Sequence, residues 1–328
     1  MLLVVLLLAV GIGLFAYGAV SSVSLSQQQD FKTRLAFVQV RDALIGWSVA
    51  RTTTVPLPNA RPGELPCPDM DNNGFEDGSC MAGAIGRVPW KTLGIPEPKD
   101  EAGETLWYAI AGPFRIWSMT STVINSDTKG DITVYRDSTA TVVSAEAVAV
   151  IFAPGAVRGA QNRDTVATAL CPTTGTTIAR NLCAANYLET AAGINNAVTN
   201  GPFMSTPGSD TFNDKVMVIT TADLIPVVEM RVARELLALL TAYSTAPGKS
   251  CSNNCYTAAD EDFTNEEDDN AYRGWLPLCD ADPDNWGALG ITLPAWLTNN
   301  DWWKVIYYAV APDKTEFYPA SSGTLTVD

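Results

Sequence analysis

Residues 1–20 (MLLVVLLLAVGIGLFAYGAV) are almost wholly apolar, and no charged side chain occurs before Asp30. About twenty apolar residues span a bilayer as a helix, so the pattern predicts an apolar helix here. A secretory signal peptide carries Lys or Arg ahead of its apolar stretch, and none stands there. The expectation is therefore a basic leader already removed and an apolar helix at a free amino terminus. The pattern then becomes amphipathic. Phe37, Val40, Leu44 and Trp47 recur at helical steps, with Arg34, Arg41 and Asp42 on the other sides. Unbroken to Ala50, this helix would be about 75 Å long. Gly11, Gly13 and Gly18 weaken it locally, and Pro56, Pro58 and Pro62 end it.

Beyond the prolines, the apolar runs predict strands at 105–111, 131–136, 141–144, 146–153, 213–220 and 304–311. A Thr-, Ala- and Asn-rich excursion covers about 155–211. A second helix is predicted over 222–243, with Ile225, Val228, Val232, Leu236, Leu239 and Tyr243 as its stripe and Thr220 and Asp223 as caps. Four short segments recur in order: VRDALIGW (40–47) and ARELLALL (233–240), LPCPD (65–69) and LPLCD (276–280), LGI (93–95) and LGI (289–291), LWYAIA (106–111) and IYYAVA (306–311). The expected fold class is α+β: a long protruding N-terminal apolar α-helix joined to a large antiparallel-sheet head with an internally duplicated helix–loop–strand unit. The expected divisions are 1–53 for the helix, 54–221 for a first head unit and 222–328 for a second.

Composition narrows the function. The 328 residues carry a net charge of −15 and no histidine. A nucleic-acid partner needs a basic footprint, so none is expected, and an anionic membrane surface beyond the anchor is equally unsuited. Without histidine the commonest general base and transition-metal ligand are gone. No Ser or Cys nucleophile with a histidine base and no phosphate-cradling loop can be named, so no catalysis is expected.

Seven cysteines lie in Pro-, Asn-, Asp- and Gly-rich loops. Beside an exported anchor they read as disulfides, with sequence-local pairs Cys67–Cys80 and Cys171–Cys183 and one bridge among Cys251, Cys255 and Cys279. One thiol is left over. Asp69, Asp71, Asn73 and Asp77, with Gly74 between them, take positions one, three, five, nine and six of a calcium loop. Cys80 stands where the bidentate glutamate would be. The alternative is a polar turn, since Asp, Asn and Gly all favour turns. Asp280, Asp282 and Asp284, near an acidic run over 260–269, form a possible second site or a solvated acidic loop. The many Trp and Tyr residues read as core packing in preference to a carbohydrate-binding surface.

Residues 1–53 and the set over 62–111 (PGELPCPDMDNNG, GRVPWKTLG, LWYAIA) resemble the type IV pilin and type II secretion pseudopilin superfamily, among its large prepilin-type proteins of Gram-negative bacteria. The resemblance implies processing by prepilin peptidase, an amine at Met1 that is free or methylated, and residence in the inner membrane before assembly. It further implies polymerisation with copies of itself into a helical filament on the cell surface, driven by a pilus or type II secretion machinery. Calcium in the head is frequent in that superfamily. One departure matters: Val5 occupies the position where most pilins carry the glutamate that neutralises a neighbour's terminal amine. A buried unpaired ammonium is costly. So either the chain is a minor tip subunit that adheres or primes assembly, or its filament packs the N-termini differently, with Gly11 and Gly13 letting the helix stretch.

Overall fold

The computed structural model describes residues 27–51, 60–78, 80–81, 83–115, 123–247, 273–275, 286–310 and 317–318. The first described element is a helix, α1, over 27–51. Its stripe is buried as the periodicity requires: Phe37, Val40 and Leu44 enter the core, while Phe31 and Leu35 remain 60% and 53% exposed.

Strands carry most of the remaining order. They are β1 (Ile85–Arg87), β2 (Trp107–Ile110), β3 (Ile132–Arg136), β4 (Ser138–Ala153), β5 (Thr168–Leu170), β6 (Thr177–Ala179), β7 (Thr190–Ala191), β8 (Ile194–Asn195), β9 (Phe203–Ser205) and β10 (Lys215–Thr220). After β10 come α2 (Thr221–Thr245), β11 (Arg273–Trp275), α3 (Ala295–Asn299), β12 (Tyr307–Val310) and β13 (Phe317–Tyr318). A six-stranded sheet runs β1-β2-β4-β3-β9, with β10 also on β4. Residues 149–152 of β4 pair with both β2 and β10. Every side chain from Ala147 to Ala153 is fully buried, which an unbroken apolar run achieves only in a strand covered on both faces. α2 begins where the amide and hydroxyl of Thr220 both donate to the Asp223 carboxylate, at 2.9 and 2.7 Å. It adds Val228, Val232, Leu236 and Leu240 to the same core as α1.

This architecture corrects the expected fold class. The long apolar N-terminal helix is not among the described elements: the described helix is the amphipathic one over 27–51, which packs on the core from Thr33 onward through Ala36, Phe37, Val40 and Leu44, while residues 27–32 stay exposed. No helix among the described residues is long and apolar enough to cross a membrane; residues 1–26, with Met1, Val5, Gly11 and Gly13, lie outside them. The sheet is mixed, since β9 runs parallel to β3. The two ends of the expected duplication also enter different sheets. β1 and β2 belong to the six-stranded sheet, β11 and β12 to a separate three-stranded one with β13. Their local backbones are nonetheless alike. Gly86 pairs with Tyr108 and Gly274 with Tyr308. In the two Leu-Gly-Ile turns Ile95 N donates to Trp90 O at 3.0 Å and Ile291 N to Trp286 O at 2.9 Å. Gly94 and Gly290 both take the left-handed conformation these turns need, at φ +68° and +74°.

A buried polar network joins these parts. Glu64 accepts from Arg51 Nε at 3.4 Å and Arg61 Nε at 3.0 Å. Burial pushes the Glu64 carboxyl up and the Arg61 guanidinium down, and their mutual attraction opposes both shifts. Arg61 Nη1 donates on to Asn300 Oδ1 at 3.1 Å, which also accepts Ile124 N at 3.0 Å.

Candidate metal centre

The Asp69–Asp77 loop is tied down at both flanks. Asp69 exchanges two backbone hydrogen bonds with Arg87 of β1, at 2.9 and 2.7 Å. The approach is so close that a Cβ on Gly86 would lie 2.7 Å from the Asp69 carbonyl oxygen. On the other side Lys91 N donates to Gly74 O at 2.8 Å and Glu76 N to Thr92 Oγ1 at 2.8 Å. Gly74 sits at φ +88° against the Trp90 ring, where a side chain would be both strained and obstructed. The Cys67–Cys80 disulfide closes the loop, and Cys171–Cys183 closes a second one in the excursion.

Within this frame the carboxylates of Asp69, Asp71 and Asp77 converge, with one oxygen of each within 4.8 Å of the others. Asp69 is 1% exposed. Its two oxygens accept Asn73 N at 3.1 Å and Gly74 N at 2.7 Å. Asp77 Oδ2 accepts Met70 N at 2.6 Å, and Asn73 Oδ1 accepts Phe75 N at 2.7 Å. Burial holds the Asp69 carboxyl above the usual carboxylate range, against the pull of the Gly74 and Asn73 amides. Three converging carboxylates, one desolvated, repel one another, and either a proton on Asp69 or a bound cation relieves that repulsion. The donor set is all hard oxygen, which suits calcium or magnesium and disfavours softer metals. Nothing in it singles out calcium. The twelfth-position carboxylate is missing and Cys80 is locked in its disulfide, so water or carbonyl oxygens would complete any shell.

The sequence reading missed the partners supplied from a distance. Lys91 Nζ donates to Asn73 O at 2.5 Å and lies 5.0 Å from the Phe75 and Trp90 ring centres. Glu76, within the loop, is half-buried and its carboxyl is pushed up by that burial, with Arg51 opposing. Asp280, Asp282 and Asp284, the run over 260–269, and Cys251, Cys255 and Cys279 lie outside the described residues. Of the Trp and Tyr residues, Trp107, Tyr108 and Trp302 are buried, and Trp107 meets Tyr187 with ring centres 5.1 Å apart. Comparison with known protein families, curated proteins and solved structures returns no match.

Proposed function

We propose that this chain is a non-enzymatic structural subunit of a type IV pilus-like filament, held in the inner membrane by its apolar segment before assembly on the cell surface. The observation that carries the reading is the exposed apolar strip at the start of α1. Phe31 and Leu35, one helical turn apart, stay exposed while the stripe of Phe37, Val40 and Leu44 is buried, and in the sequence they follow directly on the charge-free residues 1–29. Copies of the same surface on neighbouring subunits are its natural cover. Two disulfides and a calcium-loaded Asp69–Asp77 loop would stiffen the head that faces solvent. Prepilin peptidase and a pilus or type II secretion machinery are the partners this reading requires.

Val5 favours a second form of the reading, a minor tip subunit that adheres or primes assembly, because no preceding subunit's terminal amine then needs a carboxylate. Electron microscopy and mass spectrometry of material sheared from producing cells separate the two. Fibres dominated by this chain establish a main subunit; fibres of another protein with this chain in trace place it at the tip. Val5→Arg should abolish surface assembly, since a cation inside an apolar filament core is prohibitive. Unchanged surface display of that variant defeats the filament reading.

A further inference from the structure

An open cleft of ≈690 Å³ lies beside the start of α1, between the ends of β3 and β9 and the entry to β10. Its volume falls in the range of about 300–1,000 Å³ typical of ligand sites. One wall carries Arg136 and Ser205, which face each other in the parallel β3–β9 register. Arg158, Asn213 and Asp214 also line the cleft. Two of the cleft's three cations are under-partnered. Lys215 Nζ is held by Asp30 at 2.7 Å and Glu101 at 2.6 Å. The Arg136 guanidinium has no hydrogen-bond or ion-pair partner among the described residues, and the Arg158 guanidinium has a single 3.4 Å bond to the Asp210 carbonyl. Its Nε is enclosed without an acceptor. Two guanidinia offer ten N–H donors in planar forks that match a carboxylate or phosphate, and here one long bond uses them. This is a marked vacancy on a chain of net charge −15.

The rest of the lining decides between anions. A phosphate, with nearly two negative charges, meets more repulsion from Asp137, whose carboxylate accepts Thr206 Oγ1 at 3.1 Å, than a singly charged carboxylate does. The remaining lone pairs of Asp137 accept hydrogen bonds from hydroxyl groups. Ser205, Thr206 and Asn213 add donors and acceptors of the kind that read sugar hydroxyls. The cleft is open to solvent, so a ligand longer than the cleft itself can extend beyond it. We propose that it binds a uronate-bearing segment of an acidic polysaccharide, with Arg136 and Arg158 on the uronate carboxylate and the polar wall on the hydroxyls.

The test is titration of the intact protein with oligogalacturonate, followed by calorimetry at low and moderate salt. Saturable binding that weakens with salt is expected, with at least tenfold loss in Arg136→Gln and in Arg158→Gln. Lys129→Gln, which removes an exposed cation outside the cleft, should bind as the parent does. Near-ultraviolet circular dichroism of each variant checks that a loss is not unfolding. Absence of binding to the parent, equal binding of a neutral maltooligosaccharide, or undiminished binding in both folded Arg variants overturns the proposal. So does displacement of the oligogalacturonate by an equal concentration of inorganic phosphate, which would mean that the guanidinia read charge alone.

Discussion

Asp214 shows how far a single buried carboxyl departs from its ordinary chemistry. It is 3% exposed, its Oδ2 accepts Glu189 N and Asn196 Nδ2 at 2.9 Å each, and Glu189 Oε2 accepts Asn213 N and Asp214 N at 2.9 and 3.2 Å. Burial and the neighbouring Glu189 charge push Asp214 well above the carboxylate range. The folded state therefore binds this proton more tightly than the unfolded chain does. Stability is full below the unfolded pKa of about 3.9 and declines as pH rises from there toward the elevated folded value. Asp214→Asn copies the protonated acid, accepting through Oδ1 and donating through Nδ2. It should flatten that decline, so its melting temperature gains on the parent between pH 5 and pH 8. One kcal/mol amounts to about 2–4 °C in a chain somewhat smaller than this. Parallel pH profiles for the two proteins would show that Asp214 is not raised in the folded state.

Among the elements, those built from local pattern were the legible ones. α2 follows from its stripe and from Thr220 and Asp223, and it runs Thr221–Thr245 against an expected 222–243. β4 reads as two strands, 141–144 and 146–153, because Ser144 and Glu146 interrupt the apolar run. The structure instead keeps one strand and absorbs the interruption in irregular pairing with β3. The Asp69–Asp77 loop was legible for the same reason as α2, since its spacing alone brings three carboxylates together. Arg87, Thr92 and Lys91 were not, because pairing across the chain places them. Their grip sets the element's behaviour: a clamped loop pays little ordering entropy when a cation enters. In thermal unfolding the parent should therefore lose stability when calcium is chelated, by about 2.7 kcal/mol from a starting concentration a hundredfold above Kd. Asp71→Ala should melt lower than the calcium-loaded parent and ignore the chelator. An equal chelator response in both proteins would remove the site.

At the scale of the whole molecule, the apolar stretch of residues 1–20 is plain in the sequence. The burial of α1 from Thr33 onward depends on a sheet assembled from distant strands. What unites the far ends of the chain was invisible for the same reason. Trp286, Trp296, Leu297 and Trp302 belong to the hydrophobic cluster that contains Phe37, Tyr108 and Val232. Asn300 fastens that cluster through polar bonds: beyond Arg61 and Ile124, its Nδ2 donates to Trp296 O at 2.9 Å and its backbone oxygen accepts Asn125 Nδ2 at 3.1 Å. One shared core with a buried polar clasp implies cooperative unfolding. In Asn300→Ala the Arg61 Nη1 and Ile124 N donors lose their common acceptor within a dry interior, at about 1–3 kcal/mol for each stranded group. The entire unfolding transition should shift down by that order without splitting, while Asn300→Asp, which keeps the acceptor beside Arg61, should fall less. Calorimetry under oxidising conditions measures both. A separate low-temperature transition in the alanine variant would mean that residues 286–310 unfold on their own and that Asn300 joins two independent bodies.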